Sequence, residues 1–224
     1  MTEPTINLYQ IDCNKFMADV PDKYYELAIV DPPYGIGEDG GRARTRGSKK
    51  TNGIKKNWDN QKPTKYYFNQ LRRISDYQII FGGNYFADLL PSSRGWIYWQ
   101  KNMGGDFADG EMVYTNFDRV VKQYLQRSET FNRIHPTQKP IALYKWLLAN
   151  YAKEGDKILD THGGSMSIAI ACYDLGFDLD LCEMDKDYFR DGKARFEAHR
   201  TKQRELKELG YAKTELQKIN PVLF

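Results

Sequence analysis

Leu27-Ala28-Ile29-Val30-Asp31-Pro32-Pro33-Tyr34 is an apolar run that ends abruptly in a carboxylate, two prolines and an aromatic ring. Four consecutive apolar residues bounded by a turn signal read as a strand buried on both faces, which belongs in a parallel sheet covered by helices. Each proline fixes its own φ and removes an N–H, and the residue before a proline is pushed toward extended geometry. The carbonyls of Asp31 and Pro32 are therefore held rigidly, and the tetrapeptide offers acceptors with almost no donors. An exocyclic NH2 on a nucleobase has two hydrogens to give, one to the Asp31 carboxylate and one to the Pro32 carbonyl, with Tyr34 available to stack on the ring.

The same strand pattern recurs outward from this point. β-like runs at 6–11, 78–81, 96–99, 157–159 and 179–182 alternate with helical patterns at 66–74, 141–151, 167–175 and 186–209. The alternation predicts a mostly parallel sheet with helices on both faces. Two less regular stretches, 38–64 and 101–135, interrupt it. With 224 residues, 33 Lys plus Arg against 30 Asp plus Glu and a net charge of +3, the composition is that of an ordinary globular chain read as one domain. No apolar run approaches bilayer length, and Met1-Thr2-Glu3-Pro4 lacks a basic segment followed by an apolar one, so cytoplasmic residence is the expectation. Cys13, Cys172 and Cys182 are scattered among apolar neighbours and read as reduced core residues; no metal site is predicted. The basic charge is concentrated. Arg42, Arg44, Arg46, Lys49, Lys50, Lys55 and Lys56 fall within a stretch free of acidic residues, a composition suited to following a phosphate backbone.

Lys157-Ile158-Leu159-Asp160 reads as a strand running into a turn of small residues, Thr161-His162-Gly163-Gly164-Ser165, and then a helix. Glycine lets a ligand approach the backbone, and the N–H groups opening the helix favour a negative group. Glu183, nineteen residues after Gly164 at the end of the next strand, stands where doubly wound folds place the acid that accepts ribose hydroxyls. A nucleoside cofactor fits, whereas the turn does not match the dinucleotide pattern. A third motif, His135-Pro136-Thr137-Gln138-Lys139-Pro140, opens the helix ahead of that turn.

Together, in this order, the three motifs resemble those of the amino-methylating DNA methyltransferases that use S-adenosylmethionine, in the permuted group whose catalytic tetrapeptide precedes the cofactor turn. The resemblance runs from about residue 7 to 195. It implies a Rossmann-like α/β methyltransferase fold with an antiparallel strand in the sheet. Asp31, Pro32, Pro33 and Tyr34 match the catalytic motif; Asp160, Gly164 and Ser165 match the cofactor turn, with His162 inside it; Glu183 matches the ribose acid. Thr137, Lys139 and Pro140 fall in the stretch flanking the methionine part, Asp12 resembles the acid near the cofactor adenine, and Lys101 resembles a strand end on the substrate side, counted with the basic loop as DNA-binding. Thr161 and His162 stand where the family commonly has Pro and Phe, and Met166 where it has Gly. The proposed chemistry needs no histidine, so His162 is read as a packing residue rather than a base.

The resemblance further implies methylation of adenine N6 in double-stranded DNA by base flipping. Asp at position 31 is the usual residue for adenine and Ser for cytosine; cytosine N4 methylation is the nearest alternative, and a catalytically silent DNA-binding protein of this fold is a second. Residues 38–64 are expected to form a basic DNA loop, 101–135 a target-recognition segment, and 186–224 a helical cover. Homodimerisation and a companion restriction endonuclease are left open.

Overall fold

The computed structural model describes residues 3–37, 57–101, 108–127 and 133–208. In chain order these form β1 (Ile6–Tyr9), α1 (Cys13–Ala18), β2 (Tyr25–Val30), α2 (Lys65–Ile74), β3 (Ser75–Phe81), a 3-10 turn (Gly83–Phe86), β4 (Trp96–Gln100), β5 (Gly110–Thr115), β6 (Lys122–Leu125), α3 (Ile141–Tyr151), β7 (Lys157–Asp160), α4 (Ser167–Leu175), β8 (Asp178–Cys182) and α5 (Lys186–Glu208). The eight strands make one sheet in the order β1-β8-β7-β2-β3-β5-β4-β6. β5 runs antiparallel to both β3 and β4, and every other described pairing is parallel. This is the predicted mostly parallel sheet with one antiparallel strand.

β2 explains why its sequence is continuously apolar. Leu27 and Ile29 pack with Leu143, Leu147, Ile168 and Phe196 from α3, α4 and α5, while Ala28 and Val30 pack with Met17, Phe68 and Leu71 from α1 and α2. With helices on both faces, neither set of alternating side chains meets water. Among the described residues no helix is long and apolar enough to cross a membrane.

The periodicity reading placed six strands and four helices and passed over the rest. β5 and β6 lie inside the stretch read as irregular. β6 has a largely exposed pattern and owes its order to pairing with β4, from Ile97 with Lys122 to Gln100 with Leu125, rather than to its own hydrophobicity. β1 ends at Tyr9, short of residue 11, because Asp12 caps α1: its Oδ1 accepts the N–H of Asn14 at 2.8 Å and of Lys15 at 3.2 Å. In α5, Phe196 is buried and Phe189 packs on the core, whereas Tyr188 turns to the cavity described below.

β7, third of the eight strands, lies between β2 and β8. The chain steps outward from β2 to β3 on one side of this point and from β7 to β8 on the other. In open α/β sheets such a reversal leaves a crevice beyond the carboxyl ends of the strands, and ligands bind there.

Candidate active site

The segments that continue β1, β2, β3, β7 and β8 past their carboxyl ends open onto one cavity of about 940 Å³. Asp12, Asp31, Lys139, His162, Gly164 and Glu183 all line it, so the sequence-predicted residues of the three motifs meet in one place. The seven basic residues between 42 and 56 lie outside the described residues, as do 38–56 of the first irregular stretch and 102–107 and 128–132 of the second.

Asp31 follows the last residue of β2. The two prolines behind it remove two backbone donors, and the next two amides, of Tyr34 and Gly35, both donate to Asp59 Oδ1, at 2.7 and 2.8 Å. Buried Asp59 thus ties down the loop the prolines stiffen, a role sequence reading missed although Trp58-Asp59 directly follows the basic stretch. The Tyr34 ring stacks on Tyr85 at 4.9 Å and 14°, and its hydroxyl donates to Asp31 Oδ1 at 2.6 Å. Gly82, at φ +66°, permits this: a Cβ there would stand 2.4 Å from the Tyr34 ring.

Lys139, in the stretch expected to flank the methionine part of the cofactor, places its ammonium 2.5 Å from Asp31 Oδ2 and 3.5 Å from Glu111 Oε2, with the side chain 3% exposed. Glu111, at the start of β5, also bonds Lys101. Lys101 is thereby engaged on the cavity wall, 4.8 Å from the Trp99 ring. Burial pushes the Asp31 carboxyl up, partly opposed by Lys139. Burial alone would push Lys139 down, but Asp31 and Glu111 outweigh it and hold the ammonium charged above the usual lysine range.

On the other side, Asp160 ends β7 and is 1% exposed, its Oδ1 accepting the His162 N–H at 2.9 Å. Burial, with Asp31 and Glu183 nearby, pushes its pKa up to about 8. Glu183 follows β8 and bridges two backbones, accepting the N–H of Gly164 at 2.8 Å and of Asp185 at 2.7 Å; burial pushes this carboxyl up as well. A Cβ on Gly163 would stand 2.2 Å from Leu181, so the turn packs directly on β8. The Ser165 carbonyl accepts from Arg195 of α5 at 2.7 Å, and the Ser165 hydroxyl contacts that of Ser167 at 3.1 Å. The His135 ring lies against Tyr188 and Trp58, at 4.3 and 5.2 Å, and its Nδ1 takes the Thr137 N–H at 3.3 Å. Pro140 begins α3 at φ −63°.

The three departures from the family pattern each have a structural setting. Thr161 Oγ1 contacts the Tyr67 hydroxyl at 2.7 Å and His162 Nδ1 at 2.9 Å, so the polar pair satisfies itself inside the core. Met166 takes φ +57°, left-handed backbone in which glycine is unstrained, and its buried side chain lies over Gly192 of α5. His162 is buried and its pKa is lowered to about 4, chiefly by burial. The unfolded chain therefore binds a proton near pH 6.5 that the folded chain refuses until about pH 4, so stability falls as pH drops through this window. His162→Gln should remove up to about 3 kcal/mol of that acid sensitivity; thermal melts of both proteins between pH 7 and pH 4 measure it, and parallel curves would count against the buried neutral imidazole.

The cavity suits a ligand with both polar and cationic parts. Asn14 Oδ1, an acceptor, and Trp58 Nε1, a donor, belong to lining residues and are enclosed without a hydrogen-bond partner among the described residues. Asp12 and Glu183 add carboxylates to the cavity wall beside the glycine turn, and Asp160 is buried just behind that turn. S-adenosylmethionine carries a sulfonium, an ammonium, a carboxylate and a nucleoside, and this donor set fits it.

The sheet order, the glycine turn after β7 and the acids at neighbouring strand ends define an α/β methyltransferase fold. Residues 92–194 match the N6/N4 methyltransferase family model, DNA methylase. The chain is 26% identical over 230 residues to the type II methyltransferase M.HpaI of Haemophilus parainfluenzae, covering 82% of this chain and 72% of that one. The crystal structure of the M1.HpyAVI–SAM complex superposes with a TM-score of 0.60 at 18% identity, covering 85% of this chain and 98% of that one. The PvuII DNA methyltransferase, cytosine-N4-specific, superposes with a TM-score of 0.60 at 12% identity, covering 87% and 89%. Likeness at these identities speaks for the fold and leaves the target base open.

Proposed function

We propose that the chain methylates adenine N6 in double-stranded DNA, with Asp31 and the Pro32 carbonyl as the groups that grip the target amine. The observation that carries this reading is the convergence of the Asp31 loop and the Asp160 turn, from adjacent strands β2 and β7, on one cavity. S-adenosylmethionine supplies a methyl group already activated by its sulfonium leaving group. The protein's part is alignment and electrostatics. The lone pair of an aryl amine is delocalised into its ring, and acceptors on both amine hydrogens favour the pyramidal nitrogen that attacks carbon. Asp31 and the Pro32 carbonyl are such acceptors, and the Asp31 charge stabilises the cation that forms.

A base inside a duplex cannot reach a recessed pocket, so the target nucleotide must rotate out of the stack. The basic residues between 42 and 56 are suited to holding the flanking phosphates, and 101–135 to reading the sequence around the target. Asp160, Glu183 and Asp12 are assigned to the cofactor, with Gly164, Ser165 and the 135–140 segment around its amino-acid end. The order of motifs, amine-gripping loop first and cofactor turn second, corresponds to the permuted arrangement. Asp at position 31 favours adenine over cytosine N4.

Incubating the protein with duplex DNA and methyl-labelled cofactor, then digesting the DNA and separating nucleosides, tests the reading. Labelled N6-methyladenine is the expected product. Labelled N4-methylcytosine would reassign the base while keeping the mechanism, and no label in DNA while the protein binds the cofactor would leave the silent DNA-binding alternative.

A further inference from the structure

We propose that Lys139 is a positioning residue for methyl transfer, lodged between Asp31 and Glu111 so that the amine-gripping carboxylate stays charged in a dry pocket, with Glu111 as the anchor it leans on when the target amine takes its place. The inference rests on the reading of Asp31 as the amine acceptor. Its basis is geometric. Four charged side chains from four segments alternate in sign: Lys101 after β4, Glu111 at the start of β5, Lys139 ahead of α3 and Asp31 after β2. Lys139 is the inner cation, nearly inaccessible, within 3.4 Å of the Tyr34 hydroxyl and 4.7 Å from the Phe81 ring.

A carboxylate beyond the end of a buried strand gains a proton unless something opposes it, and a protonated Asp31 would present a donor where the amine needs an acceptor. Among the described residues, the groups around Asp31 are Tyr34 of its own loop, Lys139, Glu111, Tyr144 of α3 and Asp160 at the end of β7. Lys139 alone among these is a cation. Two donors already sit on Asp31 in the free protein, Tyr34 on Oδ1 and Lys139 on Oδ2. An arriving amine needs one of those places. The ammonium has three hydrogens and a second carboxylate 3.5 Å away, so it can yield room without losing its counter-charge.

The test follows the Asp31 carboxyl itself, by carbon NMR of protein labelled at the aspartate side-chain carbon, with Asp31→Asn used to assign the signal. Lys139→Gln should raise its titration midpoint by roughly one to three pH units. Glu111→Gln should move it downward, since a neighbouring negative charge is lost. Lys139→Arg, which keeps the charge and guards against a folding artefact, should stay near the parent protein. In methyl-transfer assays the acid limb of kcat/KM should move with the carboxyl, so that Lys139→Gln recovers activity at high pH. An Asp31 midpoint that does not move in Lys139→Gln, or that rises in Glu111→Gln, overturns the inference. If the midpoints move as stated but no DNA is methylated by the parent protein, the charge coupling is upheld and the reading of the reaction is what fails.

Discussion

Asp31→Ala should lower the rate of methyl transfer to DNA by roughly a hundredfold or more while leaving S-adenosylmethionine affinity nearly unchanged. The two effects separate because the acids assigned to the cofactor, Asp12, Asp160 and Glu183, stand at or just beyond the ends of β1, β7 and β8, whereas Asp31 follows β2. Removing the carboxylate takes away an acceptor for one amine hydrogen and the charge that balances the developing cation. It also strands Lys139, whose remaining carboxylate is Glu111 at 3.5 Å. Breaking a buried ion pair from one side costs about 3–5 kcal/mol, so the variant should melt earlier. Asp31→Asn keeps the volume and an oxygen for the Tyr34 hydroxyl, and separates the catalytic loss from loss of fold. Single-turnover transfer of labelled methyl, with calorimetric cofactor binding on the same samples, measures both. Full turnover in a folded Asp31→Ala protein would falsify the mechanism.

Asp160→Asn should stabilise the cofactor-free protein near neutral pH and weaken cofactor binding. The folded-state pKa of about 8 lies far above that of an aspartate in the unfolded chain, because burial disfavours its charge. The folded chain then retains a proton that the unfolded chain releases, so stability declines as pH rises from about 4 to about 8. At pH 7 the accumulated loss is on the order of 4 kcal/mol, and asparagine, which never ionises, should recover much of it. A cationic ligand reverses the balance by favouring the carboxylate. Cofactor binding at pH 7 should therefore release close to one proton, read from calorimetry in two buffers of different ionisation enthalpy, and the variant should release none from this site. Asn at 160 that lowers the melting temperature at pH 8 would contradict the buried, protonated acid.

Much of the architecture was legible because it is local. β2 reads as a two-sided buried strand from four apolar residues, and Asp31-Pro32-Pro33-Tyr34 stops it by proline stereochemistry alone. α3 and α4 were found at their bounds since Pro140 opens one and Gly176, in left-handed backbone, closes the other. β5 and β6 were not found, since an edge or antiparallel strand amid charged residues is specified by its partner across the sheet. α1 was hidden by its length, six residues capped by an aspartate that reads equally well as a loop acid.

The chain's order of residues determined which chemistry each strand end carries: an acid stiffened by prolines, a glycine turn behind another acid, and a basic stretch without counter-charges. Those follow from covalent geometry and side-chain type. Only the tertiary structure decided that Lys139 lies on Asp31, that Glu111 of β5 stands behind it, that Asp59 clamps the amides after the prolines, and that Tyr34 stacks on Tyr85. The partners are separated by 24 to 108 positions along the chain. Their meeting depends on where the sheet places its strand ends, and burial there changes what each charge is worth.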